Sequence, residues 1–238
     1  MYRGGIWDHI GYGFARYSTD NKWLIPHFEK MLYDNALLAI TYLEAYQASG
    51  TEAYATTARQ IFAYVLRDLT GPEGGFYSAE DAESEGEEGK FYLWTPAEVK
   101  QVLGQDLGGR FCREYNITAR GNYEGKSIPN LLGTESVTVG KEARLKLFHY
   151  RLQRTQLFKD DKILTAWNGL MIAALAFGSR VLADQTYLKA AAAAASFIKD
   201  NLRRKDGRLL ARYRNREAGI LAYLDDYAFL IWGLIELY

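Results

Sequence analysis

The chain has 238 residues, with 29 basic and 29 acidic side chains and a formal net charge of zero. That balance lacks the clustered positive charge a phosphate backbone demands, so nucleic acid is not an expected partner. No apolar run reaches the ~18 residues of a membrane span, and the lone Cys112 excludes an internal disulfide.

Aromatic residues make up 14% of the chain, with 18 Tyr and 5 Trp. They suit a large aromatic core, a concave site lined with rings, or both. No signal peptide is visible, and the chain reads as cytoplasmic.

Residues 1–26 are irregular and glycine-rich, and hold Trp7, Asp8, His9, Arg16 and Trp23. Pro26 closes the segment before a helix over about 28–48 that is apolar almost all round. Ser49-Gly50 ends it. The next helix, about 51–69, puts Tyr54, Ala58, Ile61, Val65 and Leu69 on one face. Gly71-Pro72-Glu73-Gly74-Gly75 is a turn. Phe76-Tyr77 and Phe91-Tyr92-Leu93-Trp94 read as short strands around an acidic loop from Glu80 to Glu88. Thr95-Pro96-Ala97-Glu98 carries an N-cap, a first-turn proline and an acid, so a helix starts there and runs to about Leu103. Another lies near 107–115. Residues 116–140 are loop-rich, and a basic amphipathic helix spans about 141–154. A second hairpin starts near Leu164, its second helix showing Tyr187, Ala191, Ala194, Ile198 and Leu202 on one face. Gly207 to Tyr213 mimics the earlier turn and strand, and a last helix runs from about 219 to 238.

The two hairpins repeat at an offset of 133 residues, from Tyr54 to Tyr187 and from Ala36-Leu37-Leu38 to Gly169-Leu170-Met171. Such self-similarity marks stacked α-hairpins. The expected fold is all-α, an (α/α)6 toroid incomplete in this chain, with short β-hairpins in the turns between helical hairpins. Residues 1–238 are expected to be one domain. About eight helices are visible where a closed ring of six hairpins needs twelve. The chain therefore reads as part of a larger protein, expected to self-associate and to be inactive alone.

Several segments carry a family resemblance: Gly4-Gly5-Ile6-Trp7-Asp8-His9, Phe14-Ala15-Arg16-Tyr17-Ser18-Thr19-Asp20, Pro26-His27-Phe28-Glu29-Lys30-Met31-Leu32-Tyr33-Asp34, Gly74-Gly75-Phe76-Tyr77-Ser78-Ala79-Glu80-Asp81, Glu85 to Tyr92, and Asp160 to Leu170. Together they resemble the helical portion of the thioredoxin-domain-containing, spermatogenesis-associated protein family. The resemblance implies a six-hairpin glycosidase-like toroid, similar to N-acylglucosamine and cellobiose 2-epimerases. It also implies a thioredoxin-like domain as the partner in the full-length protein. The family's activity is poorly defined.

The residues allow a sugar-active enzyme, epimerase-, isomerase- or glycosidase-like, with a saccharide ligand and no cofactor or metal. In the similar epimerases histidines move a proton beside an opened sugar carbonyl. His27 is the first candidate and His9 the second, although either could simply hold a turn or a helix start. Glu29, Asp81 and Asp161 are candidate catalytic carboxylates, but no spacing singles out a pair. Asp8, Arg16, Tyr33, Asp34, Tyr92, Trp94, Trp167, Asn168, Asp226 and Tyr227 are candidate substrate-binding residues. Asp34 and Asp226 stand at equivalent repeat positions, before Asn35 and Tyr227, which also suits N-capping. The acidic loop could hold a hard cation or pair with arginines. The competing reading is a non-catalytic binding or scaffold module serving the thioredoxin-like domain.

Overall fold

The computed structural model describes residues 1–238. In chain order the elements are β1 (Lys30–Met31), α1 (Leu32–Ser49), α2 (Glu52–Asp68), β2 (Ala79–Glu80), β3 (Glu83–Ser84), β4 (Glu87–Glu88), α3 (Pro96–Leu103), α4 (Gln105–Glu114), α5 (Lys141–Arg154), β5 (Lys159–Asp160), β6 (Ile163–Leu164), α6 (Thr165–Leu182), α7 (Gln185–Asn201), β7 (Leu210–Arg214), β8 (Glu217–Leu221) and α8 (Leu224–Leu237). No helix is long and apolar enough to cross a membrane. The chain forms two compact units: Met1–Lys30 with Glu80–Phe158, and Met31–Ala79 with Lys159–Tyr238.

The second unit is the repeat. Its hairpins α1–α2 and α6–α7 start 133 positions apart, Leu32 to Thr165 and Glu52 to Gln185, and end at the same offset. The copies extend to single hydrogen bonds. Tyr77 N–H donates to Leu69 C=O at 2.7 Å, and Leu210 N–H donates to Leu202 C=O at 2.8 Å. Each hairpin closes through a left-handed residue, Gly50 at φ 66° and Ala183 at φ 53°. Ala58, Ile61, Val65 and Leu69 of the first copy are fully buried, as are Ala191, Ala194 and Leu202 of the second. Full burial of each larger aliphatic among them contributes about 1.5–3 kcal/mol. Helices α1, α6 and α8 pack in series through α6. Strands β6, β7 and β8 form an antiparallel sheet with Ile163 opposite Tyr213 and Arg212 opposite Gly219.

In the first unit, α3, α4 and α5 enclose a core of Trp94, Val99, Phe111, Leu147 and their neighbours. Cys112 lies in that core as a small buried apolar group. Thr95 accepts Glu98 N–H while the Glu98 carboxylate accepts Thr95 N–H at 2.9 Å, the reciprocal cap its sequence announced. A smaller core gathers Phe28, Phe91, Tyr92, Leu93 and Ile128.

Three expected boundaries shift. The first helix begins at Leu32 rather than near 28, because Phe28 is left-handed. Phe91 to Leu93 form a turn, with Tyr92 and Leu93 N–H both donating to Gly89 C=O. They are apolar because they are buried, and burial does not distinguish strand from turn in so short a run. Residues 219–221, expected to open the last helix, belong to β8 (Glu217–Leu221), and α8 starts at Leu224.

Candidate functional site

The first unit builds its polar surface site from two neighbouring stretches of backbone. Residues 14–19 run beside 25–29: Arg16 N–H donates to Glu29 C=O at 2.7 Å, and His27 N–H to Tyr17 C=O at 3.0 Å. Between His27 and Glu29 the chain makes a γ-turn, Glu29 N–H donating to His27 C=O at 2.9 Å with Phe28 at φ 62°. That conformation is rare for a residue with a side chain. Phe28 is held in it by burial, stacking on Tyr92 at 5.7 Å and meeting Tyr123 edge-on at 5.4 Å.

The turn sends His27 and Glu29 the same way. His27 Nδ1 lies 3.4 Å from Glu29 Oε2, and it is shielded from solvent without a hydrogen-bond partner. Arg16 reaches the same Glu29 oxygen at 3.4 Å. The Tyr17 ring stacks on the imidazole at 4.8 Å and is itself exposed. The sequence therefore supplied three members of this group, His27, Glu29 and Arg16. It did not supply Tyr17 or the conformation of Phe28.

Below the turn lies a buried ionic hub. Asp8 Oδ1 accepts Ile10 and Gly11 N–H and Arg151 Nη1; Asp8 Oδ2 accepts Lys30 Nζ and Arg151 Nη2, both at 2.8 Å. Burial by itself would raise the Asp8 carboxyl, but Arg151 and Lys30 outweigh it and hold the group well below the usual carboxylate range. Lys30 Nζ also donates to Tyr12 C=O at 2.7 Å, and Arg151 lies over the Phe91 ring at 4.4 Å. Sequence reasoning missed Lys30 and Arg151. Arg151 sits on a helix whose basic character suggests solvent, and only the fold brings it to Asp8. A cavity beside Lys30 and His9 offers water centres about 20 Å³, room for one water.

The other candidates are placed as follows. His9 is buried, with Nε2 2.9 Å from Gly4 O, and desolvation pushes its pKa down to about 4. Tyr92 and Trp94 are buried core rings, Trp94 beneath the Arg154 guanidinium at 4.6 Å. Asp81 accepts Glu83 N–H within its own turn at 3.2 Å. The acidic loop folds into the β3–β4 hairpin, and its basic partner is Lys90, bonded to Glu85 at 2.9 Å and Glu87 at 3.3 Å, rather than an arginine. No three His, Cys, Asp or Glu side chains converge as a metal site.

In the second unit, Asp161 pairs with Arg214 at 2.6 Å, and Trp167 meets Tyr33 edge-on at 4.8 Å. Asp34 lies half-buried in the first turn of α1. Asn168 grips Phe76, donating to its carbonyl at 2.9 Å and accepting its N–H at 2.8 Å. Asp226 accepts Ala166 N–H at 2.9 Å and Tyr223 N–H at 2.8 Å, and Tyr227 OH accepts Leu209 N–H at 3.0 Å. Asn168, Asp226 and Tyr227 thus tie one hairpin to the next.

No family model matches the chain. It is 37% identical to human spermatogenesis-associated protein 20, over 100% of this chain and 36% of the relative. It is 33% identical to an uncharacterised protein of Caenorhabditis elegans, over 100% of this chain and 39% of that one. The chain thus spans little more than a third of the curated relatives it matches. A solved structure of UGL with dGlcA-Glc-Rha-Glc shares the fold at a TM-score of 0.51 and 14% identity, over 98% of this chain and 45% of that one.

Proposed function

We propose, for this chain of the spermatogenesis-associated protein 20 family, that His27 and Glu29 form an acid–base pair acting on a saccharide. The observation that carries this reading is the left-handed Phe28 between them. Such a residue costs on the order of 1–3 kcal/mol and persists only where its surroundings impose it, a pattern that gathers at working sites. The strain here has a definite product: a titratable ring and a carboxylate brought together at the surface.

Histidine suits proton transfer near neutrality. In an opened sugar, the carbon beside the carbonyl bears an acidic hydrogen. His27 takes that proton, and the electron pair moves onto the carbonyl oxygen as an enediolate. The Arg16 guanidinium offers that oxygen a positive charge. The enediolate turns its other face to His27, whose imidazolium, held by the Glu29 carboxylate beside it, returns the proton there and gives the epimer. Tyr17 offers its exposed ring as a stacking surface for the sugar. The saccharide class is further supported by the fold shared with a structure whose name carries the saccharide dGlcA-Glc-Rha-Glc.

The test is a panel of mono- and disaccharides incubated with the protein in D2O and followed by NMR. Solvent deuterium is expected beside the carbonyl of at least one sugar, with the rate falling about 10²-fold or more in His27→Ala. Exchange with none of the sugars, or wild-type exchange in His27→Ala, overturns the proposal.

A further inference from the structure

In the second unit, a cavity of about 90 Å³ opens between α1, α6 and α8. Its lining is Ile40 and Glu44 from α1, Ala173 and Phe177 from α6, and Trp232 and Glu236 from α8.

The repeat explains why these six meet. At the offset of 133 positions, Ile40 matches Ala173 and Glu44 matches Phe177. The match from α6 to α8 is set by Asn168 and Tyr227, which bond the equivalent turn residues Phe76 and Leu209. It pairs Ala173 with Trp232 and Phe177 with Glu236. The cavity is therefore two layers of one repeat, a helical turn apart. In the first layer the middle helix sets alanine between isoleucine and tryptophan, and the missing bulk leaves the space. In the second layer a phenylalanine stands between two carboxylates.

Those walls suit a cation. Trp232 and Phe177 bring rings, whose faces are negative. Glu236 Oε1 accepts Trp232 Nε1–H at 3.3 Å, and its Oε2 holds the Arg180 guanidinium, which lies 5.8 Å from the centre of the Phe177 ring. This ring and carboxylate thus already gather one cation of the chain itself, from outside the cavity. Glu44 is exposed, and no basic side chain pairs with it, so a second negative charge at the cavity stays unanswered. A hard metal ion fits poorly, because it takes six or more oxygens and no three ligating side chains converge. A quaternary ammonium fits well. Its charge is spread over methyl groups that pack on rings and ask for no hydrogen-bond acceptor.

We propose that this cavity binds the quaternary ammonium group of a small molecule. Its methyl groups rest on Trp232, Phe177 and Ile40, and Glu44 and Glu236 answer its charge. This inference is independent of the acid–base chemistry of His27.

The test is a titration of the full-length natural protein, labelled with fluorotryptophan and followed by fluorine NMR. The Trp232 resonance is identified by its loss in Trp232→Phe. Tetramethylammonium chloride is added in exchange for sodium chloride at constant ionic strength, and neopentyl alcohol serves as the neutral molecule of the same shape. A saturable shift of the Trp232 resonance with tetramethylammonium alone is the expected result. Glu44→Gln removes an exposed charge without touching the core, and it is expected to weaken the apparent affinity about 5-fold. No saturable shift, an equal shift with neopentyl alcohol, or unchanged affinity in Glu44→Gln overturns the proposal.

Discussion

Asn168 holds Phe76 by both of its backbone groups, across 92 positions of sequence. The contact is buried and joins the start of α6 to the turn after α2. Asn168→Ala strands a buried N–H and a buried C=O together, and each unsatisfied group costs about 1–3 kcal/mol. The expected loss is roughly 2–4 kcal/mol in urea denaturation. Tyr227→Phe, which strands only the partly buried Leu209 N–H, is expected to lose about 1 kcal/mol.

Ala183 occupies the left-handed position that Gly50 occupies in the other hairpin. A side chain there strains the backbone, whereas glycine is at ease. Ala183→Gly is expected to stabilise the protein by roughly 0.5–1 kcal/mol, and Gly50→Ala to destabilise it by a similar amount. Opposite shifts in melting temperature check the pair.

Acid should weaken the first unit in two stages. His9, pushed down to about 4 by burial, leaves the folded state short of a proton that the unfolded chain binds below its ordinary value of 6.5. Its contribution is complete above pH 6.5 and disappears as pH falls through 4, on the order of 3 kcal/mol in all. Asp8 follows. Its depressed carboxyl supplies stability above 3.8 that is lost progressively below it. His9→Gln is expected to flatten denaturation midpoints between pH 6.5 and 4. Asp8→Ala leaves Lys30 and Arg151 buried without their carboxylate and should cost about 3–5 kcal/mol at neutral pH.

Gly89 stands over Phe28. At φ 72°, a Cβ there would lie 2.7 Å from the Phe28 ring. Gly89→Ala is expected to cost roughly 2–3 kcal/mol, from left-handed strain and overpacking together. It should also shift Phe28 and so loosen the pairing of His27 with Glu29. Gly86→Ala is the control, since its φ is 79° but nothing lies within 4 Å of the added methyl. It should cost about 1 kcal/mol and leave any sugar exchange intact. Equal effects of the two on that exchange would separate the γ-turn from the chemistry.

The hairpins were legible because the second unit repeats its helices at a constant offset, so Tyr54 and Tyr187 announced aligned helices before any packing was known. The Thr95–Glu98 cap was equally open, since capping is local chemistry. The site was legible only in part. His27, Glu29 and Arg16 stood out by type, but their meeting depends on Phe28 adopting a conformation that sequence patterns assign to glycine. Arg151 was hidden for a different reason. A buried arginine on a basic helix looks like any solvent-facing one until the distant carboxylate that neutralises it has been located.

Asp8 and Arg151 are 143 positions apart. During synthesis from the N-terminus, a carboxylate that needs Arg151 must wait until nearly two-thirds of these residues have left the ribosome. The Gly-rich opening segment cannot settle early, and the hairpin of α1 and α2 is complete while Asp8 still lacks that partner. Closing so long a loop is slow. The His27–Glu29 turn, which rests on this hub, should therefore mature only after α5 has formed.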